Sequence, residues 1–126
     1  MKSSVTHVIA DRRAATLTKA ALRSGERLDL SQAEIARILG LSEASISRMK
    51  RERRCLDESS KSWELGALLV RLYRSLDAIM GGDGEAARDW LRTSNQDLRD
   101  VPMNMIGSVQ GLVSVVGYLD GFRAKV

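Results

Sequence analysis

One cysteine, one histidine and one proline in 126 residues remove several chemistries at once. A lone Cys55 permits no intrachain disulfide, and with His7 as the single imidazole no clustered Cys/His metal site can form. No nucleophile triad, phosphate-cradling loop or metal-spaced cluster accompanies either residue, so no catalytic role and no cofactor are expected. His7 is expected in a mobile amino terminus and Cys55 as a packing residue, and this cysteine usage suits a reducing cytosol. Aromatics make up only 4% of the chain, and apolar and polar residues nowhere alternate for long, which argues against strands. Trp63, Tyr73 and Trp90 are read as core anchors rather than as platforms on which bases stack.

Long apolar runs are also scarce. "MKSSVTHVIADRR" meets Asp11, Arg12 and Arg13 too early for a secretion signal, so a cytoplasmic location is expected. Val101 to Leu119 carries no charge for nineteen residues, close to the ~20 of a membrane span. It contains Pro102, Asn104, Ser108, Gln110, Ser114 and three glycines, which favours a buried or partner-covered helix and no membrane contact.

What the chain does have is helical periodicity and lopsided charge. Met1 to Cys55 holds 12 Lys/Arg against 6 Asp/Glu, a net +6, and the remainder holds 8 against 10, a net −2. The positive field of the first half suits a polyanion. The fold class is all-α: an amino-terminal helix-turn-helix domain over residues 1–58, a long connecting helix over 59–82 shared by both halves, and a small helical domain over 83–126.

A first helix is expected from Asp11 to Arg23, stopping at Ser24-Gly25. Ser31 and Glu34 stand at capping-box spacing ahead of a short helix that buries Ile35, Ile38 and Leu39. Gly40 permits a left-handed turn, and Ser42 can cap a second short helix anchored by Ile46 and Met49. Two capped helices across a glycine turn make a helix-turn-helix. The long helix carries Leu65, Leu68, Leu69, Leu72, Leu76, Ile79 and Met80 and ends at Gly81-Gly82-Asp83-Gly84. A short helix over Glu85 to Arg92, a loop, a turn opened by Pro102 and a last helix from Val109 to about Asp120 follow. On that last helix Val109, Leu112, Val113, Val116 and Leu119 form one apolar stripe, and Gly111, Val115, Tyr118 and Phe122 a second beside it.

In the helix-turn-helix, Glu43, Ala44, Ser45, Ser47, Arg48 and Arg51 are expected to face outward. Small residues at the front of a reading helix allow close approach to base edges. Arg48 is the candidate base contact, since its fork matches guanine O6 and N7, and Glu43 could read a cytosine amine. Gln32, Ser42, Ser47, Lys50, Arg51, Arg53 and Arg54 suit phosphates. A run such as "KRERR" also serves as a solvated helix end, because cations are favourable there without a ligand. Readers of this kind bind as homodimers on two half-sites about one helical turn apart.

"LSQAEIARILGLSEASISRMKRERR" resembles the Xre-type helix-turn-helix of phage repressors. Downstream, Trp63, Leu72, Tyr73, Leu76, Gly81-Gly82-Asp83, Ala87, Trp90-Leu91, Asn95, Pro102, Ser108, Gly111-Leu112, Val116, Leu119 and Asp120 resemble the Xre/MbcA/ParS antitoxins with their carboxyl-terminal toxin-binding domain. Two positions depart: Ser94 stands where the family often has proline, and Arg99-Asp100 where it often has glycine.

The resemblance implies a type II antitoxin that occupies a cognate toxin, forms a hetero-oligomer with it and represses the operon encoding both by binding operator DNA. Family toxins commonly carry a RES domain that consumes NAD, the assignment favoured here; others are ADP-ribosyltransferases. Within that picture the second stripe, Gly111, Val115, Tyr118 and Phe122, is either more core or the surface a toxin covers. The tail "GFRAKV" joins Phe122 to Arg123, Lys125 and Val126, an apolar anchor with two cations, suited to a cleft for an anionic dinucleotide; a frayed end is the other reading. A repressor without a toxin, whose second half dimerises or senses a ligand, is the nearer alternative, and the neighbouring gene distinguishes the two.

Overall fold

The computed structural model describes residues 4–125, with side chains from 11 to 123. Among the described residues there are seven helices and no strand: α1 (Ser4–Arg27), α2 (Gln32–Leu39), α3 (Glu43–Lys50), α4 (Lys61–Ile79), α5 (Gly84–Arg92), α6 (Pro102–Met105) and α7 (Val109–Lys125). α4 is the spine. Its Leu69, Leu72 and Leu76 are fully buried, and it packs against α1 and α2 as well as against α7. Ser60 caps it by accepting from the Trp63 amide at 3.2 Å. Just upstream the Asp57 carboxylate accepts from the Ser59 amide and hydroxyl, which holds its pKa below the usual range. The spine ends where Gly81 and Gly82 take φ of 62° and 83°, and Asp83 caps α5 through the Ala86 amide.

α1 is longer than its sequence suggests, running from Ser4 to Arg27 instead of Asp11 to Arg23. It passes through Ser24-Gly25 because the Ser24 hydroxyl bonds back to the Ala20 carbonyl at 2.7 Å, a bond compatible with helix. Gly25 serves packing here: a Cβ on it would lie 2.7 Å from Ile35 Cδ1 of α2. The stop comes at Asp29, whose φ of 58° ends the helix as an asparagine or glycine would. His7 therefore lies on a helix; the side chains of residues 4–10 are outside the described ones.

The carboxyl end of α1 is clasped from the second half. Arg92 on α5 donates to the Leu28 carbonyl at 2.9 Å and to the Asp29 carbonyl at 2.7 Å, and Arg88 reaches the Arg27 carbonyl. A guanidinium at a helix carboxyl terminus answers both orphan acceptors and the helix dipole. Arg92→Ala is expected to cost about 1–2 kcal/mol, read as a lower urea midpoint at unchanged slope.

α7 also outruns expectation, continuing helical through Lys125; Val126 lies outside the described residues. Its buried stripe is Leu112, Val115, Val116 and Leu119, which takes members from both expected stripes. Pro102 opens α6, and the Ser108 hydroxyl accepts from the Gly111 amide at 3.0 Å to start α7. The uncharged run is thus two helices, and no helix among the described residues is long and apolar enough to cross a membrane.

The loop between α5 and α6 is closed by Asn95. Its side-chain oxygen accepts from the Leu98 amide, and its backbone pairs with Asp100 and Arg99. Arg99 sits at φ 61°, so the left-handed turn forms with arginine at a position whose backbone favours glycine. A side chain in that region is strained by roughly 1–2 kcal/mol. Arg99→Gly is expected to stabilise the fold by about 0.5–1 kcal/mol after glycine's extra unfolded-state entropy is subtracted, measurable as a raised melting temperature.

Candidate nucleic-acid interface and apolar partner face

The reading helix is built by local rules. Ser31 and Glu34 form the reciprocal capping box, with the Glu34 carboxylate taking the Ser31 amide at 2.8 Å. Gly40 adopts φ 67°, and the Leu41 amide reaches back to the Ala36 carbonyl at 2.9 Å. Ser42 caps α3 by accepting from the Ser45 amide at 3.1 Å. Ile46 and Met49 are buried and dock α3 on the core. Gln32 donates to the Glu43 carbonyl at 3.0 Å and ties the front of α2 to the front of α3.

Past Lys50 the chain turns instead of continuing as helix. Glu52 takes φ 60°, and the Arg53 amide bonds the Arg48 carbonyl at 2.9 Å. The buried Thr18 hydroxyl then accepts from the Leu56 amide at 2.8 Å, pinning this loop to α1. Leu56 is the packing residue there, and Cys55 is exposed, correcting its expected role.

This turn sorts the charges. Glu52 pairs with Lys19 and Glu58 with Arg13, both on α1. Arg48, Lys50, Arg51, Arg53 and Arg54 are exposed, and none of them forms an ion pair with another described residue. Glu43 and Ala44 stand exposed at the front of α3 as expected. Ser45 does not: it is buried, because its hydroxyl is a hub accepting from Ser42, from Arg48 at 3.4 Å and from Arg54. Sequence spacing gave no sign that Arg54, nine residues on, folds back to the same hydroxyl as Arg48. Two guanidiniums are thereby held at the front of α3. The Ser42 proton goes to Ser45, so this serine is a cap and not a free phosphate donor. Gln32 keeps one amide hydrogen, and half-buried Ser47 receives Arg51 at 2.7 Å.

At the far side, an aromatic ladder climbs from α5 to the end of α7. Trp90 stacks on Tyr118 with centroids 6.4 Å apart, and Tyr118 meets Phe122 edge-on at 4.9 Å. The Tyr118 hydroxyl donates to Asp97 at 2.6 Å, and this hydrogen bond, with desolvation, lifts the phenol above its ordinary range. Phe122 is 44% exposed. Arg123 donates to the Ser75 hydroxyl at 3.3 Å, Ser75 donates to Asp120, and Asp120 pairs with Arg71.

Two members of the expected partner stripe are corrected. Val115 is fully buried in the α4–α7 contact. Gly111 is half-buried, and a Cβ there would run into the Met105 carbonyl, so it is a packing glycine. Tyr118, Phe122 and Arg123 remain accessible; the Lys125 side chain and Val126 lie outside the described residues. Val109 and Val113, 60% and 51% exposed, face outward although they share the first stripe with buried Leu112, Val116 and Leu119. Trp90 packs against the core as expected and, only partly buried, also forms the base of the ladder.

Residues 7–71 match the antitoxin Xre-like helix-turn-helix domain. Residues 75–125 match the antitoxin Xre/MbcA/ParS C-terminal toxin-binding domain. The chain belongs to the Xre/MbcA/ParS antitoxin family. No curated protein matches the sequence. The two matches meet inside α4, so in this antitoxin one helix carries core residues for both the DNA-binding and the toxin-binding part.

Proposed function

We propose that this antitoxin neutralises a RES-domain, NAD-consuming toxin by laying the end of α7 over its substrate pocket, and represses its own operon as a homodimer on an inverted repeat. Functionally, residues 1–58 bind the operator, 59–82 connect and 83–126 hold the toxin. The observation that carries the reading is the pairing of two separate surfaces on one core: exposed cations around α3 without carboxylate partners among the described residues, and the Trp90–Tyr118–Phe122 ladder ending in Arg123.

On the operator, Arg48 takes the base contact and Glu43 a cytosine amine, while Gln32, Ser47, Lys50, Arg51 and Arg53 address phosphates. Arg54, held at Ser45 beside Arg48, approaches the same base step. On the toxin, Phe122 supplies an apolar anchor, and Arg123 and Lys125 the charge that complements a pocket built for a dinucleotide's phosphates.

Co-expression with the product of the adjacent gene, followed by affinity capture and a cellular NAD measurement, tests this. Stoichiometric capture with NAD restored is the expected result. Capture with undiminished NAD and ADP-ribosylated targets would replace the RES assignment, and no capture would leave a repressor without a toxin.

A further inference from the structure

α1 and α4 enclose a groove of about 400 Å³ that shares no residue with the α3 surface or with the aromatic ladder. Its floor is apolar, made by Leu17, Ala20, Trp63 and Val70, and its rim carries Arg12, Arg13 and Arg74. Arg13 is held by Glu58, whereas Arg12 and Arg74 have no partner among the described residues.

We propose that this groove docks an acidic amphipathic helix of another protein. Trp63 to Arg74 spans about 16 Å along α4 at 1.5 Å per residue, the length of roughly three helical turns. That accommodates one row of apolar anchors at i, i+4 and i+7 in the helix-in-groove mode. The two guanidiniums without a described partner, Arg12 and Arg74, select carboxylates flanking the row. Nucleic acid fits less well, since a phosphate backbone would leave the apolar floor uncovered. A second copy of this chain fits less well too, because its own groove would set like charges against Arg12 and Arg74. Held there, an acidic partner occupies neither the duplex nor the toxin surface, and all three can be bound at once.

The test uses the full chain and a labelled eighteen-residue helical peptide with leucines at i, i+4 and i+7 flanked by glutamates, followed by fluorescence anisotropy. Saturable binding that weakens with salt is expected. Arg12→Glu with Arg74→Glu should weaken it at least tenfold, Arg12→Gln with Arg74→Gln by less, and Arg53→Glu in the turn after α3 should leave it unchanged. Serine in place of the peptide leucines should abolish it. No saturable binding, equal binding of a lysine-flanked peptide, or indifference to the Arg12/Arg74 pair would each overturn the proposal. So would a concentration-dependent dimer in sedimentation that is lost on Trp63→Lys, since a second copy would then fill the groove. Because Arg12 and Arg74 are exposed, unchanged thermal melting should accompany the Arg12/Arg74 variants.

Discussion

Deleting residues 121–126 is expected to abolish neutralisation of the toxin, with affinity reduced at least ~100-fold, while operator binding stays within about twofold. A few central aromatic and arginine side chains carry most of an interface's energy, each costing ~2 kcal/mol or more on truncation. Phe122 and Arg123 are the candidates here. Phe122 is braced edge-on by Tyr118, so its ring is presented in one orientation and loses little entropy on docking. Arg123 is different, because its guanidinium is already bonded to Ser75 and must exchange that hydroxyl for the toxin. Phe122→Ala should therefore account for more of the loss than Arg123→Ala. Isothermal calorimetry with the toxin, alongside operator binding by the same preparations, separates the surface effect from unfolding. Full neutralisation by the truncated chain would remove the tail from the mechanism.

Arg48→Ala is expected to reduce specific operator affinity by about 1–3 kcal/mol, roughly 5- to 150-fold, without changing affinity for unrelated duplex. The effect belongs to base reading because Arg48 stands on the exposed face of α3 while Ile46 and Met49 hold that helix in place. Ser45→Ala provides the sharper comparison. It leaves both guanidiniums present but removes the hydroxyl that holds Arg48 and Arg54, so specificity should fall while salt dependence persists. Arg53→Ala should do the reverse, weakening all duplexes alike and lowering the salt slope by about one unit. Quantitative mobility shifts on specific and scrambled duplexes distinguish the three patterns, and equal losses on both duplexes for Arg48→Ala would assign it to phosphate.

What was legible in the sequence was local. The Ser31–Glu34 box, the Gly40 turn and the Ser42 cap act over three to five residues, and each is an explicit residue requirement. The same applies to the glycine stop of α4 and to Pro102 at the start of α6. What was not legible depends on tertiary neighbours. Ser24-Gly25 reads as a stop, yet Gly25 is there because Ile35 of α2 needs its space. On α7 the two stripes are almost equally apolar, so periodicity alone does not choose which face meets α4; the contact with α4 decides, burying Val115 and exposing Val113. The Arg92 clasp joins residues more than sixty positions apart and has no motif to announce it. Ser45 carries the same lesson at the candidate site itself, where a residue expected to face outward is buried instead and holds Arg48 and Arg54.

One helical core is proposed to present a DNA-reading helix and a toxin-binding face that do not overlap. A mobility shift on the duplex upstream of the antitoxin's own gene, titrated with the chain and then with the adjacent gene's product, tests it most directly. A salt-sensitive shift by the chain alone, followed by a further retardation when the toxin is added, is the expected result. A chain that leaves this duplex unshifted at low salt, or a toxin that adds nothing to the shifted complex and fails to bind the free chain, would contradict it.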